Sequence, residues 1–121
     1  MMKVIYVAGP YRSKSEWGLI KNIREAEDAA LEIWRLGAAA ICPHKNTAHF
    51  GGAHELSNEV WIDGDLEILR RCDAMFLLDG FMDSVGAMTE KKEAERLEIP
   101  IFRHLYDLRK WLNDPDTYAE D

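Results

Sequence analysis

The chain has 121 residues, of which 47% are hydrophobic and 31% charged, and its formal net charge at pH 7 is -7. This composition fits one globular domain with a hydrophobic core and argues against a disordered or fibrous chain. The negative charge argues against binding of a nucleic-acid polymer, because proteins that follow the phosphate backbone need a basic surface. Small polar or anionic substrates remain open.

Apolar runs alternate with helical patterns along the chain. In order, the patterns predict a strand over 4–8, a helix ending near Gly37, a strand over 38–42, a long loop over 44–57, a helix over 60–71, a strand over 74–78, a helix over 86–97, a strand over 100–102 and a helix over 105–112. We expect these elements to form one domain over residues 1–113. An acidic tail over 114–121 is expected to be frayed or to lie at a subunit contact.

This alternation predicts a small doubly wound α/β domain, flavodoxin-like or Rossmann-like, with a parallel sheet of about four to five strands flanked by helices. Ligands of such sheets bind beyond the carboxyl ends of the strands where the strand order reverses, which favours the residues after Ala8 and Leu78. The segment AGPYRS after the first strand is neither a GxGxxG nor a P-loop, so dinucleotide binding of that type is disfavoured.

The sequence carries no sign of export or of a membrane span. No run approaches the about 18 apolar residues that a spanning helix needs, and the N-terminus lacks a signal-peptide pattern. Cys42 and Cys72 stand in apolar contexts without metal-binding spacing, so we expect both to be reduced in the core. We therefore expect a cytoplasmic protein with no membrane partner.

Two carboxylates fall on helix faces that are otherwise apolar. Asp65 shares an arc with Leu66 and Leu69, and Glu90 shares one with Ala87 and Ala94. An unpaired buried carboxylate costs several kcal/mol, roughly, so a polar cleft over the strand ends would explain both. The alternatives need no ligand site. Asp65 would then be a solvated residue at a kinked helix start, and Glu90 a first-turn glutamate that the helix dipole stabilises.

Further polar residues cluster between the third strand and the third helix. Asp79 precedes Gly80 and suits a turn, and either Asp83 or Ser84 suits a helix N-cap. Their convergence with Asp65 and Glu90 favours a site in which one carboxylate attacks an anomeric carbon while a second acid protonates the leaving group. With Glu90 placed in the first turn of its helix, the dipole would keep it ionised while its neighbours shift to higher pKa.

The loop over 44–57 contains His44, His49 and His54. Their spacing matches no common helix face and no carboxylate or cysteine accompanies them, so a lid is favoured over a metal site. We expect no metal and no cofactor. Tryptophans outside the site are expected to pack structurally or at a subunit interface: Trp17, Trp34 and Trp111.

Three segments together resemble the nucleoside 2-deoxyribosyltransferase-like superfamily, and within it a short, largely uncharacterised bacterial and phage branch. They are YVAGPY at 6–11, WIDGDLEILRRCDAMFLLDG at 61–80 and DSVGAMTEKKEA at 83–94. The resemblance covers about residues 3–103. Phe81 stands where the branch usually has tryptophan.

The resemblance implies a retaining mechanism in which Glu90, four residues after Gly86, attacks the anomeric carbon of a 2-deoxyribosyl group. It implies that Asp79 is the general acid for the departing base and that Asp65 supports it. Gly9, Pro10 and Tyr11 would then close over the sugar and base. Each site in this superfamily is commonly completed by a neighbouring subunit, which implies a homodimer or larger homo-oligomer.

Members that act on nucleoside 5′-monophosphates hold the phosphate with a serine and backbone amides, and Ser84 matches that serine. Arg12 and Ser13 could add a cation and a donor, whereas Asp83 places a negative charge beside the pocket.

The resemblance thus implies cleavage of an N-glycosidic bond in a nucleoside or nucleotide, by hydrolysis or transfer. A non-catalytic nucleotide sensor and an NAD glycohydrolase remain alternatives.

Overall fold

A computed structural model describes residues 1–46 and 56–114 of the chain. In this part the strands are β1 Val4–Ala8, β2 Ala39–Ile41, β3 Ala74–Leu77 and β4 Ile101–Phe102. The helices are α1 Glu16–Arg35, α2 Pro43–Asn46, α3 Asn58–Arg70, α4 Val85–Arg96 and α5 Leu105–Asn113, with a 3-10 turn over Phe81–Asp83.

The described strands form one parallel sheet in the order β2-β1-β3-β4. Ile5 of β1 lies opposite Ala40 of β2 and Ala74 of β3, and Met75 of β3 lies opposite Ile101 of β4. Because each parallel pairing needs a crossover helix, the chain winds away from β1 in both directions. This confirms the predicted doubly wound α/β fold.

Alternate residues of the central strands feed two separate cores. Ile5 and Val7 of β1 pack on one face of the sheet with Ile33 of α1 and Leu108 of α5. Tyr6 and Ala8 point to the other face and join the cluster below α3 and α4, which includes Leu69, Met75, Leu77, Ala87 and Ala94. The period of two along β1 therefore decides which side chains can meet α3 and α4.

Local signals explain where the helices begin and end. The Ser15 hydroxyl accepts a hydrogen bond from the Gly18 amide at 3.0 Å and caps α1. Gly37, with φ +90, ends the turn that follows α1, since only glycine adopts this conformation without strain. Ser84 caps α4 by accepting from the Ala87 amide at 3.1 Å.

Helix α2 lies in the segment predicted to be a loop. Pro43 begins it, and proline suits the first helical position because its φ is already helical and its missing N–H is not needed there. The remaining loop residues 47–55, with His49 and His54, lie outside the described residues, as does the acidic tail beyond 114. The domain division at 113 stays a prediction.

Neither cysteine is at the surface, since Cys42 and Cys72 are both buried. In residues 1–46 and 56–114, none of the helices combines the length and apolar character needed to cross a bilayer.

Two glycine substitutions should change stability in opposite directions. A Cβ at Gly9 would lie 2.8 Å from Leu78 Cβ and Cδ1, so Gly9→Ala should lower the free energy of unfolding by about 1–3 kcal/mol. Gly64 lies inside α3 with open space around it, so Gly64→Ala should raise that free energy by about 0.5–1 kcal/mol. Urea unfolding of both variants measures the contrast, and equal effects would contradict the tight contact at Gly9.

Candidate active site

A cavity of about 790 Å³ opens beyond the carboxyl ends of β1 and β3. These two strands are neighbours, and their following helices cover opposite faces of the sheet, so a crevice remains between the departing chains. Its walls come from the segment after β1, from α2 and α3, and from the start of α4. The cavity therefore lies where the sequence predicted a ligand site, beyond the carboxyl ends of the strands at which the strand order reverses.

Most sequence-predicted site residues line this cavity. They are Gly9, Pro10, Tyr11, Arg12, Asp65, Asp83, Ser84, Gly86 and Glu90. They come from separate parts of the chain, and only the parallel arrangement of β1 and β3 brings them together.

Tyr6 anchors Glu90 to the sheet. Its side chain is fully buried, and its hydroxyl donates a hydrogen bond to Glu90 Oε2. Burial raises the pKa of Tyr6 well above its usual range, and the negative charge of Glu90 raises it further. The phenol therefore stays protonated and remains a donor to the carboxylate. The sequence prediction missed this role, because Tyr6 reads as one more residue of a buried strand.

Glu90 lies in the second turn of α4, which corrects its expected place in the first turn. The helix begins at Val85, and the influence of the helix dipole falls off within the first turn. Burial raises the pKa of Glu90 to about 7; the hydrogen bond from Tyr6 opposes this rise and the Asp65 charge adds to it. The carboxyl group is thus half-protonated near neutral pH instead of held ionised.

Asp65 is the second carboxyl group of the cavity. It lies half-buried on α3, on the side that faces α4 and the sheet, as its place in the apolar arc predicted. Burial raises its pKa to about 6. The Asp65 charge in turn raises the pKa of Glu90, so both carboxyl groups change protonation near neutral pH, which suits acid–base chemistry.

Asp79 does not join this pair, contrary to the expected convergence of three carboxylates. Its side chain is 96% exposed and lies outside the cavity lining. Arg103, just after β4, donates to the Leu77 carbonyl at 3.1 Å and to Asp79 Oδ1 at 2.9 Å. Because β4 lies beyond β3 at the edge of the sheet, this arginine pairs with Asp79 on the β4 side, away from the cavity.

An ion pair holds the two helices that carry Asp65 and Glu90. Arg70 of α3 donates to Glu93 of α4 at 2.7 Å, and Arg96 donates to the same carboxylate at 2.7 Å. These hydrogen bonds lower the pKa of Glu93 to about 2, so it stays ionised. The contact fixes α3 beside α4 one turn beyond the cavity.

His44 fastens the segment that follows β1. It is 6% exposed, its Nε2 lies 2.8 Å from the Pro10 carbonyl, and its ring meets Tyr11 edge-on at 5.2 Å. Burial lowers the pKa of His44, which favours the neutral imidazole donating to that carbonyl. Asn22 of α1 donates to the Tyr11 carbonyl at 3.1 Å. Neither role had a signal in the sequence, because both partners are backbone groups distant along the chain.

Two further features of the lining concern binding. Trp61 and Ile62 of α3 contribute an apolar wall that the sequence did not predict as part of the site. Ser84 serves as the N-cap of α4, so its hydroxyl already accepts one backbone hydrogen bond. The cap therefore accounts for Ser84 without a ligand, and its remaining hydroxyl proton is available for donation.

The acidic groups of the described residues do not form a cage for a metal ion. Among residues 1–46 and 56–114, no group of three or more His, Cys, Asp or Glu side chains has suitable geometry.

The raised pKa of Glu90 predicts a stability difference that depends on pH. Relative to an unfolded value near 4.5, the folded state gains stability from the protonated carboxyl at low pH and loses it as pH rises through about 7. Glu90→Gln keeps an acceptor for Tyr6 but cannot ionise. Its free energy of unfolding should therefore rise relative to wild type by about 1–3 kcal/mol between about pH 5 and about pH 8.

Urea unfolding at both pH values measures this difference. Tyr6→Phe is the matched control, because loss of the donor should move the Glu90 transition to higher pH. Parallel pH curves for wild type and Glu90→Gln would show that the carboxyl group is not buried as described.

The solved structure of a known enzyme has a fold similar to that of this chain. The 2-deoxyribosyltransferase from the psychrotolerant bacterium Bacillus psychrosaccharolyticus superposes with a TM-score of 0.59 and 22% identity, over 81% of this chain and 69% of that chain. At this identity the likeness concerns the fold. No curated protein matches the sequence significantly. A family model described as "Domain of unknown function (DUF7768)" matches residues 3–104, so the chain belongs to the DUF7768 family.

Proposed function

We propose that this protein cleaves the N-glycosidic bond of nucleosides or nucleoside 5′-monophosphates through a covalent glutamyl-sugar intermediate. The observation that carries the proposal is the carboxyl pair of Glu90 and Asp65 in one cavity, with Glu90 held by the buried Tyr6 hydroxyl. The fold shared with a 2-deoxyribosyltransferase supports it. Hydrolysis and transfer to a second base differ only in the molecule that accepts the sugar.

In the first step Glu90 acts as the nucleophile. Tyr6 holds Oε2 and favours the ionised carboxylate, which leaves Oε1 to attack the anomeric carbon. The electron pair of the breaking C–N bond moves to the departing base. The sugar becomes an ester of Glu90 after an oxocarbenium-like transition state.

Asp65 replaces Asp79 as the proposed general acid. It faces the same cavity as Glu90, and burial raises its pKa to about 6, so a fraction of the molecules carries a proton on Asp65 near neutral pH. It gives this proton to the base as the C–N bond breaks. In the second step it takes a proton from the incoming water or base, while Glu90 leaves the anomeric carbon.

The rest of the lining suggests how a substrate is held. Tyr11 and Trp61 offer aromatic surface for a base, and His44 and Asn22 keep the Tyr11 segment in place. A 5′-phosphate would meet Arg12 and the Ser84 hydroxyl along the wall, with Asp83 opposing it. We therefore propose that nucleosides and nucleoside 5′-monophosphates bind in the same orientation.

Activity assays should separate the two carboxyl roles. Glu90→Gln should lower kcat at least about a thousandfold with any substrate, because the covalent step is lost. Asp65→Asn should lower it about a hundredfold with ordinary nucleosides, and by much less with a leaving group that needs no proton, such as a 7-methylated purine. Chromatography of released base measures both.

Asp63→Asn, an exposed change on the same helix, is the matched control and should stay within about twofold of wild type. A loss in Asp79→Asn that exceeds the loss in Asp65→Asn would return the acid role to Asp79. Melting shifts with nucleotides in the absence of any turnover would indicate a sensor. Release of nicotinamide from NAD, without cleavage of nucleosides, would indicate a dinucleotide glycohydrolase.

A second assay tests the orientation of the phosphate. Arg12→Ala should raise KM for a deoxynucleoside 5′-monophosphate about tenfold and change KM for the matching nucleoside little, because only the phosphate uses the guanidinium. Lys14→Ala, which removes a nearby exposed cation outside the lining, is the control. Equal effects of Arg12→Ala on both substrates would contradict a phosphate at this wall.

A further inference from the structure

Arg103 contacts three residues of the segment that leads from β3 to α4. Its Nε donates to the Leu77 carbonyl at 3.1 Å, its Nη2 donates to Asp79 Oδ1 at 2.9 Å, and its guanidinium carbon lies 4.5 Å from the centre of the Phe81 ring. These partners are two residues apart along the chain, so a single side chain bridges the turn that follows β3. The planar guanidinium suits these contacts, because its donors have a fixed fork geometry and its face can stack on an aromatic ring.

The place of Arg103 in the sheet explains how it reaches this turn. The register of β3 with β4 runs to Phe76, which lies opposite Phe102. Arg103 is the next residue, and its side chain reaches the Leu77 carbonyl one residue further along β3. The side chain thus continues the contact between the two strands beyond their backbone pairing, at the carboxyl end of the sheet.

The turn that Arg103 bridges forms part of the cavity wall. Gly80 lines the cavity and has φ +83, and a Cβ on it would lie 3.2 Å from Pro10 Cγ. The turn therefore lies between Arg103 on the β4 side and Pro10 on the cavity side. Ser84 follows on the same wall, where it caps α4.

The stability of the domain alone does not account for this arrangement. Asp79 is 96% exposed and Arg103 39%, and surface ion pairs of this kind contribute little to the free energy of unfolding because water screens them. The bond to the Leu77 carbonyl and the contact with the buried Phe81 ring fix the guanidinium on the turn. What these contacts determine together is the position of the turn and of Ser84 after it.

We propose that Arg103 is a positioning residue of the candidate active site, which it serves from outside the cavity. By fixing the turn it places the Ser84 hydroxyl at the 5′ end of the substrate, so the inference rests on the proposed function. Asp79 is the acceptor that orients the guanidinium. Glu90 is held separately by Tyr6, so loss of Arg103 should weaken substrate binding more than it slows the chemical step.

Kinetics of Arg103→Lys test this role, because lysine keeps the charge but loses the fork. KM for a deoxynucleoside 5′-monophosphate should rise about tenfold while kcat stays within about twofold of wild type. KM for the matching nucleoside should rise less than about threefold, since it lacks the phosphate that Ser84 contacts. Partial unfolding would instead lower the amount of active enzyme, which lowers kcat and leaves KM unchanged.

Asp79 variants test the partner of the guanidinium. Asp79→Asn keeps an acceptor for Nη2, so KM for the monophosphate should stay within about twofold of wild type. Asp79→Ala removes the acceptor and should raise this KM about threefold. The double variant of Asp79→Ala with Arg103→Lys should be no worse than Arg103→Lys alone, because both changes break the same contact.

Amide hydrogen exchange gives a readout that does not depend on activity. The Asp83 amide donates to the Gly80 carbonyl at 3.1 Å and the Ser84 amide donates to the Phe81 carbonyl at 3.0 Å, so both amides report on the turn. Arg103→Lys should speed the exchange of both at least about fivefold.

Arg109→Lys, an exposed change on α5 outside the cavity lining, is the matched control and should alter neither KM nor exchange. Unchanged exchange in Arg103→Lys would overturn the proposal whether or not the protein is active. Faster exchange with an unchanged KM would overturn it too, because Arg103 would then be structural only. If wild type binds the monophosphate without turnover, the proposed function fails, and the dissociation constant from calorimetry replaces KM in the same comparison. A wild type that neither binds nor cleaves it would overturn both.

Discussion

The hydrogen bond between Tyr6 and Glu90 joins the core of this protein to its candidate site. Tyr6 belongs to the central strand β1 and is fully buried, whereas Glu90 belongs to α4, which crosses the same face of the sheet. A carboxyl group in this position is tolerated only with a partner and a polar cavity beside it. Both conditions are met here, because the strand order leaves an opening next to the partner.

The raised pKa values of Glu90 and Asp65 follow from the way α3 and α4 pack on the sheet. Partial burial limits the contact of Glu90 and Asp65 with water, which raises both pKa values, and the Asp65 charge raises the pKa of Glu90 further. The fold tolerates these unfavourably buried carboxyl groups because the hydrophobic cluster below α3 and α4 and the Arg70–Glu93 contact hold both helices in place. Residues that destabilise the domain are thus the ones that suit acid–base chemistry.

Helix α1 has a buried inner face and an outer face that leaves large apolar side chains exposed. Its inner face buries Ala26 and Ile33 and completes the core, while Asn22 holds the segment that borders the cavity. Its outer face leaves two tryptophans exposed where a solvated helix would carry polar residues. Of the three tryptophans predicted to pack structurally or at an interface, Trp111 is buried in the core, whereas Trp17 and Trp34 are exposed in the described chain, so for these two the interface alternative stays a prediction.

Apart from the short helix α2, the amino-acid sequence by itself determined the elements and their type, because periods of two and 3.6 residues and helix-end residues such as Gly37 and Ser84 are local properties. It also placed Asp65 and Glu90 on inward faces, since a helical projection needs only spacing. Which side chains meet depends on strand order and on contacts between distant segments. Only the tertiary structure therefore revealed Tyr6 as the partner of Glu90, His44 as the anchor of Pro10, and Arg103 as the residue that pairs with Asp79 outside the cavity.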